Sequence, residues 1–170
     1  MRVEATTLED SRAIAELHVA SWQAAYTGIV ATSYLATLSV EQREHSWKKQ
    51  LLEGSPQILV AREGSSLVGF VAFGGCRETQ APSSYGEIWA LYVLPSQWSA
   101  GVGRILWLAA LTSLLEQGFT VVTLWVLALN ERATRFYKAA GFEVEAGSEK
   151  LFTLGSQELA EVRLIYKDGV

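Results

Sequence analysis

The sequence predicts a mixed α/β sheet built around one crossover unit in its second half. Three observations carry that prediction. Residues 87–94 and 119–128 are runs of apolar, aromatic and β-branched residues, the pattern of strands buried inside a sheet. Each is followed by a helical stretch, opened by a glycine-rich loop in the first case and by Asn130 in the second, so the two strands are expected to run parallel. Ahead of them, the apolar stretches 57–62 and 67–73 flank Glu63-Gly64-Ser65, a hairpin signal.

Each element has a local reason. Residues 2–6 alternate weakly and make a first strand. Thr7 caps a helix, with Asp10 near its positive end. In that helix Ile14, Leu17, His18, Ser21, Trp22, Ala25 and Tyr26 recur on one face at 3.6-residue spacing, and Gly28 stops it. A short helical turn is expected near Tyr34-Leu35. Ser39 with Gln42 three residues later is a capping box, opening a helix that turns Trp47 and Leu51 inward and its charges outward. Gly54-Ser55-Pro56 ends it. Residues 74–84, polar with Gly, Pro and Ser, read as a loop. Pro95 stops the 87–94 strand, because proline has no N–H for a central ladder. The next helix runs from about Arg104 to Gln117, ahead of Gly118. N-E-R-A-T-R-F-Y-K-A-A forms a helix between the Asn130 cap and Gly141, and 142–145 and 158–166 are the last strands. One domain spanning 1–170 is expected, without repeat, low-complexity tract or linker.

Composition narrows the function classes. A chain of 170 residues, 49% hydrophobic and 19% charged, can bury a substantial core. A net charge of −4 argues against a general nucleic-acid binder. Cys76 is the only cysteine, so neither an intrachain disulfide nor a cysteine-rich metal site can form. His18 and His45 are isolated, and no metal site is expected. The most apolar helix is too short to cross a bilayer, and the N-terminus has no signal-peptide core. The expectation is a cytoplasmic protein, monomeric or homodimeric, with no membrane or nucleic-acid partner.

Ser99-Ala100-Gly101-Val102-Gly103 joins a strand to a helix. The N–H groups of such a loop and of the helix's first turn converge on one point and stabilise an anion there. Glycine lets a phosphate approach the main chain without a Cβ in the way. Two phosphate motifs fail. The dinucleotide fingerprint needs a third glycine where Leu106 stands, and the P-loop needs Lys-Ser/Thr where Arg104-Ile105 stands. A serine-hydrolase elbow is absent. What is left is a site for a phosphorylated ligand, with the carboxylate of Glu87 on the strand that feeds it. Trp22 and Tyr26, one turn apart, either pack in the core or line a substrate pocket; Trp89 shares strand parity with Glu87. Together Trp22, Tyr26, Trp89 and Glu87 would suit an ammonium group.

Three stretches taken together resemble the GCN5-related N-acetyltransferase (GNAT) family. L-Y-V-L-P-S-Q-W-S-A-G-V-G is similar to that family's strand, proline and Gln/Arg-x-x-Gly-x-Gly/Ala pyrophosphate loop. N-E-R-A-T-R-F-Y-K-A-A-G-F, residues 130–142, matches Asn-x-x-Ala-x-x-Phe-Tyr-x-x-x-Gly-Phe at every keyed position. S-W-Q-A-A-Y-T-G-I, residues 21–29, resembles the first-helix segment of many bacterial members. One position departs: Trp98 stands where the loop motif carries Gln or Arg.

The resemblance implies the acyl-CoA N-acyltransferase fold, a mostly antiparallel sheet with one parallel pair that splays apart, flanked by helices. It implies transfer of acetyl from acetyl-CoA to a primary amine of a small molecule or peptide, by direct attack in a ternary complex. Backbone groups of Leu91, Tyr92 and Val93 would then hold the pantetheine arm and thioester, with the N–H of Tyr92 or Val93 facing the oxyanion. Amides of Trp98, Ser99, Ala100, Gly101, Val102, Gly103 and Arg104 would hold the pyrophosphate, and Asn130 the CoA arm. Tyr137 would protonate the leaving thiolate. Glu87, fourteen residues before Gly101, would take the amine proton directly or through water, or else be a structural carboxylate or substrate anchor. Two readings compete with the enzyme: a non-catalytic acyl-CoA-binding or sensor module of the same fold, and an interaction protein that docks through its tryptophans. Tyr137 and Glu87 favour the enzyme.

Overall fold

The computed structural model describes residues 1–167. In chain order the elements are β1 (Arg2–Ala5), α1 (Ser11–Ala25), α2 (Thr32–Leu35), α3 (Val40–Glu53), β2 (Gln57–Glu63), β3 (Ser66–Gly75), β4 (Tyr85–Val93), α4 (Val102–Glu116), β5 (Val121–Leu127), α5 (Glu131–Ala139), β6 (Glu143–Val144), β7 (Lys150–Leu154) and β8 (Gln157–Lys167). The strands form one sheet in the order β1-β2-β3-β4-β5-β8-β6, with β7 also paired to β8. Among the described residues only β4 and β5 run parallel; every other pair is antiparallel. Among the described residues, no helix is long and apolar enough to cross a membrane.

The two-residue period of the strands gives the sheet two apolar faces. Phe70 and Ala72 of β3 turn towards Ile14, Leu17 and Trp47 of α1 and α3. Val71 and Phe73, one residue along, turn towards Leu106, Trp107, Ala110 and Leu114 of α4. Helix α4 lies close on the sheet because Gly69 has no side chain: a Cβ there would meet Leu106 at 2.9 Å and Val102 at 3.0 Å.

Several boundaries and one element differ from the sequence reading: β3 runs on through Gly75, into residues read as loop, and β4 starts at Tyr85, ahead of residue 87. Helix α4 begins at Val102, two residues early, because Gly101 adopts a left-handed φ of 85° and acts as its N-cap. Strand β7 was not predicted. Its residues K-L-F-T-L are mostly exposed and bury only Phe152 and Leu154, on a small cluster with Val30, Leu35 and Leu159, so its alternation is weak.

Thr7 is the N-cap of a short 3-10 turn that leads into α1, and Asp10 closes a capping box onto it. The Thr7 N–H donates to Asp10 Oδ2 at 3.0 Å. Arg62 of β2 donates to the other Asp10 oxygen and, through Nε, to Glu4 of β1 at 2.6 Å. This ties α1 to the sheet edge. Burial alone would raise the Asp10 pKa, but the Thr7 N–H and Arg62 outweigh it and hold the carboxyl below its ordinary value. A depressed folded pKa stabilises the fold above the unfolded pKa, and that contribution disappears as pH falls through the folded value. Asp10→Asn is therefore expected to lower stability by about 1–3 kcal/mol at pH 7. Urea titrations of both proteins should show the gap narrowing below about pH 4, where an unfolded aspartate protonates; a gap that stays constant down to pH 2 would refute the linkage.

Candidate active site

Strands β4 and β5 pair only from Tyr85–Val121 to Glu87–Thr123, although both continue for several residues beyond. The cause lies in β4. Phe73 of β3 faces Ile88 and Ala72 faces Ala90, which leaves Trp89 as an extra, unopposed residue. Such a bulge bends and twists its strand. It falls just past the last parallel pair and turns the rest of β4 away from β5. The gap opens into a cleft of about 770 Å³, with Leu91, Tyr92 and Val93 on one wall and Leu124, Trp125 and Val126 on the other.

The direction of each β4 amide follows from one bond. Leu94 N donates to Val68 O at 2.9 Å, and amide direction alternates along a strand. Tyr92 therefore directs its N–H to β3, while Leu91 and Val93 direct theirs into the gap. Tyr92 thus presents no N–H to the gap and enters the cleft by its side chain. The Val93 carbonyl is also committed. It accepts from Ser21 Oγ at 3.1 Å and from Trp98 Nε1 at 2.9 Å. What the strand offers a ligand is the Val93 N–H and the main chain of Leu91.

At one end of the cleft the loop after Pro95 presents Trp98, Ser99, Gly101, Val102, Gly103 and Arg104; Ala100 alone of the predicted loop residues does not line it. The two glycines serve different ends. Gly101 supplies the left-handed turn, with open space where a Cβ would be. Gly103 allows close packing, since a Cβ there would lie 3.2 Å from Phe136 of α5. Ser99 is left-handed too, at φ 65°. Alternating backbone of this kind, leading into the free N–H groups of the first turn of α4, makes an anion-binding concavity.

Helix α5 brings Asn130 and Tyr137 to the same cleft. Asn130 Oδ1 accepts from the Ala133 N–H at 3.1 Å, capping the helix. Tyr137 packs edge-on against Phe136 and Phe142, at 5.0 and 5.5 Å between centroids. Its hydroxyl, Tyr26 and Tyr92 lie close together, with the Asn130 amide beside Tyr26. Burial, and then the neighbouring Tyr92, push the Tyr137 phenol above its ordinary value. Burial and then Tyr92 do the same to Tyr26. These phenols stay protonated at neutral pH.

Two sequence candidates lie elsewhere. Glu87 is 1% exposed and does not line the cleft. It accepts from the Arg77 N–H at 2.8 Å, from Arg77 Nε at 3.0 Å and from Arg77 Nη2. Both its oxygens are engaged, Oε2 by the Arg77 N–H and Oε1 by the guanidinium. The shared parity with Trp89 is present, but Arg77 uses it: its guanidinium lies 4.6 Å over the Trp89 ring. Trp22 is the second. Its Nε1 donates to Tyr92 Oη at 2.9 Å and it stacks edge-on with Tyr26 at 4.8 Å, supporting the cleft from behind without lining it. Tyr26 and Trp89 do line it. Sequence reasoning missed Arg77, Trp125 and Arg132. Trp125 sits in a run with no polar alternation to mark its inward face. Arg132 had a signal: a cation in a helix's first turn runs against the helix dipole.

A profile of the acetyltransferase (GNAT) family matches residues 13–142. The chain is 34% identical over 167 residues to YuaI, an uncharacterized N-acetyltransferase of Bacillus subtilis strain 168, covering 98% of this chain and 92% of that one. Among solved structures it superposes on the PaiA N-acetyltransferase of Thermoplasma acidophilum in complex with coenzyme A, with a TM-score of 0.76, 23% identity and 98% of each chain covered. YncA of Salmonella typhimurium, solved with acetyl-CoA, gives a TM-score of 0.73 at 20% identity, over 98% of this chain and 92% of that one. Parted parallel strands, a glycine loop at their end and a matching family profile agree, and the chain belongs to the GNAT family of acetyl-CoA-dependent N-acetyltransferases.

Proposed function

We propose that the protein transfers acetyl from acetyl-CoA to a primary amine of a small molecule or peptide by direct attack in a ternary complex. The observation that carries this reading is Tyr137, a protonated phenol held in the gap between the parted strands. The loop from Trp98 to Arg104 receives the pyrophosphate through its main chain. Leu91 and Val93 receive the pantetheine arm, with Asn130 across from them. The amine nitrogen attacks the thioester carbon, and the Val93 N–H stabilises the developing oxyanion. As the C–S bond breaks, Tyr137 gives its proton to the thiolate and regains one from solvent. The amine's own proton leaves through the solvent of the cleft, because Arg77 holds Glu87. The role proposed for Glu87 is to fix Arg77 against Trp89 and so shape the acceptor end. The acceptor meets Tyr26, Trp89 and Trp125; one face of Trp89 carries Arg77 and one face of Trp125 carries Lys150 at 3.6 Å.

The deciding experiment follows thiol release from acetyl-CoA with a panel of amines, amino acids, polyamines and peptides. Turnover with at least one primary amine is expected; binding of acetyl-CoA without turnover on any of them would favour a sensor module instead. Tyr137→Phe is expected to lower kcat by about 100-fold or more while CoA affinity stays within about twofold. Because the Tyr137 pKa is raised, kcat/KM should climb with pH as the acceptor amine deprotonates and should not fall again below about pH 10; a descending limb near pH 8 would contradict that. Glu87→Gln should keep kcat within about tenfold and act mainly on acceptor KM and melting temperature, since it weakens a charge-assisted pair and removes no base. A loss as deep as that of Tyr137→Phe, on a folded protein, would restore Glu87 as the base.

A further inference from the structure

We infer that Arg132, seated on the face of Trp98, is a side-chain ligand of the cofactor's pyrophosphate, and that the pair replaces the single polar side chain expected at position 98. The inference rests on acetyl-CoA being the cofactor. Trp98 does not point its polar atom at a ligand, because its Nε1–H is spent on the Val93 carbonyl at 2.9 Å. That bond fixes the indole plane at the mouth of the phosphate loop. The Arg132 guanidinium lies 4.0 Å from the ring centroid, and both residues line the cleft beside Ser99 and Gly101. A guanidinium stacked on an aromatic face keeps its edge N–H donors free, and its planar fork suits phosphate oxygens. Stacking also restrains the side chain before the ligand arrives, so less freedom is lost on binding.

Two further observations point the same way. Arg132, like Arg43, Arg104 and Arg135, makes no ion pair among the described residues, whereas Arg2, Arg12, Arg62, Arg77 and Arg163 each do. It also occupies the first turn of α5, where the helix dipole disfavours a cation. A charge kept without a carboxylate partner, in a locally unfavourable place, facing the site of a polyanion, has a purpose in binding that polyanion. The polyanion offers two sources of phosphate, the pyrophosphate and the 3′-phosphate. The position of Trp98 in the loop itself favours the pyrophosphate.

Calorimetry with CoA and with dephospho-CoA, which lacks the 3′-phosphate, tests this. Arg132→Ala should weaken both ligands about tenfold, as loss of one charge-assisted contact does. Trp98→Ala should cost about the same, and the double variant no more than either single one. Trp98→Phe keeps a ring face, and so should retain most of the dependence on Arg132 if the alanine variant proves unstable. In turnover, Arg132→Ala should raise the acetyl-CoA KM about tenfold with kcat at saturation within about twofold. The inference is overturned if Arg132→Ala binds both ligands within twofold of wild type, if it loses affinity for CoA alone, or if the two alanine losses multiply in the double variant. Wild-type protein that binds neither ligand would instead sink the cofactor reading.

Discussion

Two neighbouring parallel strands of one sheet stop sharing hydrogen bonds after the Glu87–Thr123 pair, and the cleft depends on that parting. Leaving ladder groups unmade is costly unless something else satisfies them. Here the strands are held from their outer sides, β4 by β3 and β5 by β8 along its full length, so neither needs the other to stay extended. The bulge at Trp89 sets the direction of the parting. Ser21 and Trp98 satisfy the carbonyl of Val93 and hold the end of β4 in place. The amides still facing the gap are positioned by strands on rigid neighbours, which is the condition for stabilising an oxyanion without reorganisation.

Charge is distributed to match. The chain carries a net charge of −4, yet Arg104, Arg132 and Arg135 line the cleft without an ion pair among the described residues. Elsewhere opposite charges meet, as where Arg12 contacts Glu16, Glu41 and Glu44 across α1 and α3. Exposed pairs of that kind contribute little to stability. Their effect is to leave the loop end of the cleft as a local positive region on an acidic protein, where it can attract an anion.

Much of this was legible in the sequence because it is local. The glycine loop, the Asn130 cap, Tyr137 and the two buried runs declare themselves within a few residues, and their order gave the parallel pair. The bulge at Trp89 was not legible: it arises from the register against β3, and a strand's own residues do not announce an extra member. The Arg77–Glu87 pair was hidden for a similar reason. Glu87 reads as a lone carboxylate on an apolar strand until the fold brings Arg77 to it, with the backbone N–H on one oxygen and the guanidinium on the other. Trp98 read as a defect in a motif, since its compensation, Arg132, lies on a different helix. Strand β7 was missed because most of its side chains face solvent and leave no two-residue signature.

The aromatic cluster behind β4 holds a buried imidazole uncharged. His18 of α1 stacks on Tyr92 at 4.8 Å, and its Nδ1 accepts the Trp47 Nε1–H at 3.1 Å. Burial, and then the charge of Arg43, push its pKa down to about 3, so at neutral pH the ring is an uncharged acceptor for a buried indole. A protonated His18 would have to break that bond and charge an apolar interior. It is therefore a support for Tyr92, in series with Trp22, whose Nε1–H reaches the Tyr92 hydroxyl from the other side. Packing from α1 and α3 fixes Tyr92, and Tyr92 adjoins Tyr26 and Tyr137, so the placement of the cleft's phenols is set in part by helices on the face of the sheet opposite α4.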